Sequence, residues 1–188
     1  MIGYAFCGSF CTWNDSFRQL EQLLKMGWEI QPILSETAYQ TDTRFGKAEE
    51  WQARIRAACG KEIVHTIADA EPFGPAKPLE YLIISPCTGN TLAKMSCGIT
   101  DSAVCMAAKA HLRTDRPLII ALASNDAMSA NLKNIGTMLT RQSVYFVPMI
   151  QDDPIRKPHS LVADFNKLPE TLLAIREGKQ LRPLFTHR

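Results

Sequence analysis

Apolar runs of strand length alternate with stretches of helical periodicity from one end of the chain to the other. The first run, IGYAFC (2–7), is followed by the cap formers Asn14, Asp15 and Ser16, then by Phe17, Leu20, Leu23 and Leu24 on one helical face, ending at Gly27. The second run, WEIQPIL (28–34), stops at SETA, and a helix carrying Trp51 and Ile55 closes at Gly60. EIVHTI (62–67) predicts a third strand, EYLIIS (80–85) a fourth, PLIIALA (117–123) a fifth and VYFVPM (144–149) a sixth. The three prolines of ADAEPFGPAKP predict an irregular loop between the third and fourth.

Asn90 to Arg113 reads as two helical pieces divided near Gly98, with Asp101 placed to cap the second. Leu132, Ile135 and Leu139 mark a further helix starting near Ser129, and a last one spans about 169 to 177 before Gly178. The alternation predicts an α/β fold of Rossmann-like, flavodoxin type: a mostly parallel sheet of about six strands, helices on both faces, and a C-terminal helical tail. The change to polar, proline-punctuated sequence past Gln151 divides the chain into an α/β domain (1–150) and an extension (151–188), packed on that domain or at an interface.

A chain of 188 residues buries about 70% of its unfolded surface and needs no metal or disulfide to do so. Lys plus Arg number 21 against 19 Asp plus Glu, and they are scattered, which excludes a nucleic-acid footprint and points to small molecules or protein partners. The start MIGYAFCGSF has no basic n-region and no apolar stretch nears the roughly 18 residues of a membrane span, so a cytoplasmic protein away from membranes is expected. The six cysteines show no zinc-type pairing, and Cys7, Cys59, Cys87, Cys97 and Cys105 lie in or beside apolar segments, which predicts reduced, mostly buried thiols and no metal site.

In an open α/β sheet, ligands bind beyond the C-terminal strand ends, where helix N-termini present unpaired N–H groups. Gly8 and Ser9, then Ser35, Glu36 and Thr37, then SPCTGNT (85–91), then Ser124 and Asn125 all fall at such ends. CGSFCT is neither a dinucleotide fingerprint nor a phosphate-binding P-loop. The hydroxyls of Ser9, Ser35 and Thr37 instead suit a phosphate monoester beside a helix dipole, although the same residue types also form ordinary turns and caps. Lys94 is a candidate for a phosphate or carboxylate, and Arg113, Arg116, Arg156 and Lys157 are candidates for carboxylates or for a protein interface. Cys87, beside a helix N-terminus, is expected either to have a lowered pKa or to act as a small filler.

SPCTGNTLAKMSCGITDS (85–102) resembles the A-P-A-S/T-A-N-T-x-A-K-x-A-x-G-I-x-D segment of the homo-oligomeric flavin-containing Cys decarboxylase family, with Ser85, Pro86, Thr88, Asn90, Thr91, Lys94, Gly98, Ile99 and Asp101 in matching order. LASNDAM resembles that family's P-x-M-N-x-x-M substrate element, keeping Asn125 and Met128. The resemblance implies FMN on a Rossmann-like sheet, held by Gly8, Ser9, Ser35, Thr37, Ser85, Pro86, Thr88, Asn90, Thr91 and Asn125, with Cys87, Lys94 and Met128 toward substrate, in a homo-oligomer. The family's catalytic histidine falls where this chain reads AEPFGPAKP, which weighs against decarboxylation. Further stretches, including YFVPMIQDDPIRKPHSLVADF, resemble one branch of the superfamily. That branch implies a subunit working on a small dicarboxylate with a partner A subunit that carries the NAD(P) site. A stand-alone FMN-dependent decarboxylase or transferase, or a flavin-free scaffold subunit, are the alternatives.

Overall fold

The computed structural model describes residues 1–186. In chain order the elements are β1 (Ile2–Phe6), α1 (Trp13–Lys25), β2 (Ile30–Leu34), α2 (Glu36–Gln40), α3 (Ala48–Cys59), α4 (Ile67–Ala70), β3 (Tyr81–Cys87), α5 (Gly89–Ser96), α6 (Ala103–Leu112), β4 (Leu118–Ser124), α7 (Leu132–Leu139), β5 (Val144–Phe146), β6 (Met149–Ile150), β7 (Leu161–Ala163), α8 (Leu168–Arg176) and β8 (Phe185–Thr186). β1, the first apolar run, is buried along its whole length and pairs in parallel with β2 on one side and β3 on the other. β3 pairs with β4, and β4 with β5, also in parallel. The order β2-β1-β3-β4-β5 is that of the flavodoxin-like doubly wound sheet, whose topological switch point lies between β1 and β3.

Alternation along β1 divides the core. Ile2, Tyr4 and Phe6 pack with Trp13, Phe17, Leu20 and Leu23 of α1, Trp51 and Ile55 of α3, and Leu168, Leu172 and Ile175 near or within α8. Ala5 and Cys7 face the opposite layer, with Leu92 and Met95 of α5, Val104 and Ala107 of α6, and Ile135 and Met138 of α7. Helices on both faces are thus borne out, and the sheet is mostly parallel as expected.

The sheet has eight strands, against about six expected, because β6, β7 and β8 add a small second half. β7 joins the upper end of β4 antiparallel, with Ala123 opposite Val162 and Ser124 opposite Leu161. The run 144–149 does not stay one strand: Pro148 has no N–H for the ladder, so β5 stops at Phe146 and β6 turns to pair with β7 and β8. The predicted strand at 62–67 reduces to one bridge, Val64 with Ile33 on the outer edge of β2, after which Thr66 caps α4. Two predicted caps also move. α1 begins at Trp13, after a 3₁₀ turn, and Ser16 is buried inside it; α6 is capped by Ser102, whose hydroxyl accepts the Cys105 N–H at 3.1 Å, while Asp101 turns outward to Lys94.

His111, fully buried on α6, donates from Nε2 to the Pro117 carbonyl at 2.9 Å, while its Nδ1 has no partner among the described residues. Burial, joined by the charge of Arg116, holds its pKa below the ordinary 6.5 despite the bond to Pro117. The unfolded chain therefore takes up this proton first, so stability present above about pH 6.5 is lost as pH falls from there toward the folded-state pKa. His111→Gln, which keeps a donor for Pro117 and cannot titrate, is expected to show a smaller fall in Tm between pH 7 and pH 5.5 than the parent. Equal falls in the two proteins contradict this assignment.

Candidate functional site

Two adjoining clefts open at the C-terminal ends of the strands, one on each side of the turn after β1. The larger, about 400 Å³, is lined by Gly8, Ser35, Glu36, Thr37, Thr88, Asn90, Thr91, Lys94, Asp101 and Ser102. The smaller, about 300 Å³, takes Ser9, Thr12 and Asp15 from one wall, Ser124 and Asn125 from another, and Asp152 and Lys157 from the segment beyond β6. Sequence reasoning placed Gly8, Ser9 and Asn125 in one set; the structure puts Gly8 in the first cleft and Ser9 and Asn125 in the second.

Local sequence explains the first cleft. Ser35 caps α2 by accepting the Ala38 N–H at 3.2 Å, and Thr88 caps α5 by accepting the Thr91 N–H at 3.1 Å. Thr88 also donates to Thr91 Oγ1, which donates in turn to the Cys7 thiol at 3.3 Å. The hydroxyls of Ser35, Thr88 and Thr91 are therefore committed to shaping the turns, whereas that of Thr37 makes no hydrogen bond among the described residues. Backbone donors are free as well: the N–H groups of Gly8 and Ser9 have no partner among the described residues, and the first-turn N–H groups of Glu36, Thr37, Gly89 and Asn90 lie beyond the reach of intrahelical bonds.

Charge in the cleft is balanced locally. Lys94 pairs with Asp101 at 2.9 Å, a hydrogen bond that raises the lysine pKa. The Glu36 carboxylate accepts the Ala103 N–H at 3.1 Å, placing an anion on the positive end of α6. Sequence reasoning placed Glu36 at a strand end and gave it no role; it is the strut between the β2 and α6 ends. Asp152, which accepts from Lys157 (2.8 Å) and Ser160 (2.7 Å), was not anticipated, since nothing in its spacing ties the tail to the rim.

The structure sets four of the anticipated contact residues, Ser85, Pro86, Cys87 and Met128, away from the linings of both clefts. Ser85, Pro86 and Cys87 are buried beneath the turn and present no surface to the cleft. Ser85 exchanges hydrogen bonds with Ser16, and the Pro86 carbonyl accepts the Cys7 N–H at 3.2 Å. A lowered pKa at Cys87 is also overturned: burial pushes its thiol well above the ordinary value, and that of Cys7 up to about 12. Among the cysteines expected to be buried, Cys97 is exposed, as is Cys11. Met128 packs against the core, with its N–H bonded to the His159 carbonyl at 2.9 Å, and lines neither cleft.

The wall between α5 and the β4 loop is a chain of polar contacts. Asp126 accepts from Ser124 and, at 2.8 Å, from Asn131; Asn134 donates to Asn131 at 2.8 Å, and Ser96 to Asn134 at 2.8 Å. Gly89 opens α5 against this chain, so close that an added Cβ would collide with Ser124 Oγ and lie 2.6 Å from Asn131 Nδ2 and 2.8 Å from Asp126 Oδ1. The glycine lets the helix N-terminus settle onto the loop.

The comparisons with known proteins agree with this geometry. The sequence model of the Flavoprotein family matches residues 2–168. The chain belongs to that family. It is a close homologue of the B subunit of dipicolinate synthase of Bacillus subtilis (strain 168), 39% identical over 97% of this chain and 92% of the relative. The crystal structure of the corresponding dipicolinate synthase chain from Bacillus halodurans C superposes with a TM-score of 0.90 at 39% identity, covering 98% of this chain and 95% of the other. The FMN-dependent cysteine decarboxylase SpaF, at 22% identity over 95% of this chain and 97% of its own, has a TM-score of 0.67 and shares the fold.

Two outcomes follow. Gly89→Ala is expected to lower stability by about 1–3 kcal/mol, the usual cost of forcing atoms into an occupied space, measured by denaturant unfolding; an unchanged midpoint contradicts the close approach. In the folded protein, a thiol reagent at pH 8 is expected to label Cys11 and Cys97 first and to leave Cys7 and Cys87 unmodified. Fast labelling of Cys87, read by peptide mass, contradicts its burial.

Proposed function

We propose that this chain acts as the B subunit of a dipicolinate synthase. In this reading it works with the nicotinamide-binding A subunit in the mother cell of a sporulating bacterium to oxidise dihydrodipicolinate to dipicolinate. The oxidation removes a hydride, accepted by NAD(P) on the A subunit, and a proton. The observation that carries the proposal is the likeness to the B subunits of two dipicolinate synthases over nearly the entire length of each chain, core and tail included. The absence of a dinucleotide fingerprint supports a nicotinamide site on another chain.

The first cleft fits FMN by the chemistry of its donors. An isoalloxazine nucleotide brings one phosphate, which suits the unpaired N–H groups of Gly8 and of the α2 and α5 first turns. Glu36 and Asn90 offer partners for ribityl hydroxyls, and Lys94 is the cation of the cleft. Bound there, FMN supplies a reversible two-electron couple. The chain's own part is to fix these amides, to hold Glu36 on the α6 N-terminus, and to keep Lys94 on Asp101. A second reading, a flavin-free pocket, draws on the commitment of Ser35, Thr88 and Ser102 to caps.

Mixing the two purified chains with dihydrodipicolinate and NAD(P) is expected to form dipicolinate, and neither chain alone is expected to match it. Full activity of the A subunit alone overturns the proposal. In parallel, the chain after incubation with FMN and desalting is expected to retain about one flavin, read from its visible spectrum, and Asn90→Ala to retain less. Dipicolinate formation by a two-chain mixture without flavin selects the second reading.

A further inference from the structure

A third cavity lies on the helical face behind the rim, lined by Met95, Ile99, Thr100, Cys105, Ala108 and Leu112, with Lys109 and Arg141 among its wall residues. Its volume is about 170 Å³, close to the ~150 Å³ apolar cavity that accepts a benzene ring. The wall contrasts with those of the strand-end clefts, which hold the carboxylates Glu36 and Asp101 or Asp15 and Asp152. Here the charged wall residues are both cations, and neither Lys109 nor Arg141 is paired with a carboxylate among the described residues. Met95 is almost fully buried, whereas Ile99 is 47% exposed, so an apolar lip stands open to solvent.

We propose that this cavity is a second ligand site, and that its ligand is a small single-ring aromatic carboxylate. The ring fills the space between Met95, Ile99 and Leu112, where a thioether beside an aromatic edge is favourable. The carboxylate stays at the mouth, within the field of the two unpaired cations. A purely apolar occupant leaves both cations unused, and an aliphatic dicarboxylate leaves the apolar lip uncovered. The site shares a wall with the rim cleft, because Gly98, Ile99 and Thr100 line one cavity and Asp101 and Ser102 the other. The assignment does not depend on which cofactor, if any, the rim binds.

Calorimetric titration of the full chain with benzoate, with pyridine-2,6-dicarboxylate and with the neutral isostere benzamide tests it. Saturable binding near one acid per chain is expected, with benzamide about tenfold weaker or more, the scale of one charge-assisted hydrogen bond. Arg141→Gln and Lys109→Gln are expected to weaken the acids without altering Tm, Ile99→Asp to abolish binding, and the rim variant Asn90→Ala to leave it unchanged. Absence of saturable binding overturns the inference, as does equal affinity for benzoate and benzamide, or loss of binding in Asn90→Ala alone. Sedimentation on the same samples covers the remaining case. If copies of the chain associate over this face, Ile99→Asp separates them and no acid binds, then the cavity is an interface and the inference fails.

Discussion

Parallel pairing of β1 with β2 and β3 together is the constraint on which the structure rests. Because both pairs are parallel, all three strands end on one rim, and because the chain leaves β1 toward α1 on one face and β3 toward α5 on the other, the two exits diverge. The gap between them is the rim cleft. No side chain has to be spent on opening it; crossover geometry opens it, and short polar residues at the strand ends leave the backbone bare. Burial of β1 on both faces fixes the register, since a slip by one residue would exchange Tyr4 and Phe6 with Ala5 and Cys7 across the sheet.

Around that gap the side chains act mainly as builders. Ser35, Thr88 and Ser102 cap the three helices that face it, Glu36 ties two of them together, and the Asp126–Asn131–Asn134–Ser96 chain holds the loop after β4 against Gly89. Beside the Thr37 hydroxyl and the Asn90 side chain, the donors left for a ligand are amides held in place before any ligand arrives. Such preorganised donors suit a cofactor phosphate. A committed hydroxyl would have to exchange its own cap bond for a ligand bond, with little net gain.

The central sheet and both helical layers were legible in the sequence because buried parallel strands read as unbroken apolar runs and helices repeat every 3.6 residues. The elements that escaped are those whose state depends on partners far along the chain. EIVHTI has strand composition, yet only Val64 meets the edge of β2. Leu161–Ala163 is too short to announce itself and becomes a strand because β4 extends beyond β5 to meet it. At the site, the positions of the turns were legible and the duties of their residues were not. A serine before a helix looks alike whether it caps or binds, and nothing in the spacing of Ser85 or Cys87 reveals that the turn stands on top of them. The contribution of Asp152 and Lys157 to the second cleft likewise exists only once β6 and β7 fold the tail back over the rim.

In the proposed function, the bare amides of the strand-end rim hold the cofactor. Titration of the ¹⁵N-labelled protein with FMN tests it directly, by following backbone amide resonances. Saturable shifts concentrated at Gly8, Ser9, Glu36, Thr37, Gly89 and Asn90 are expected, with the helical-face residues Ala108 and Leu112 unmoved. No shift at the rim amides, or shifts centred elsewhere on the chain, would contradict it.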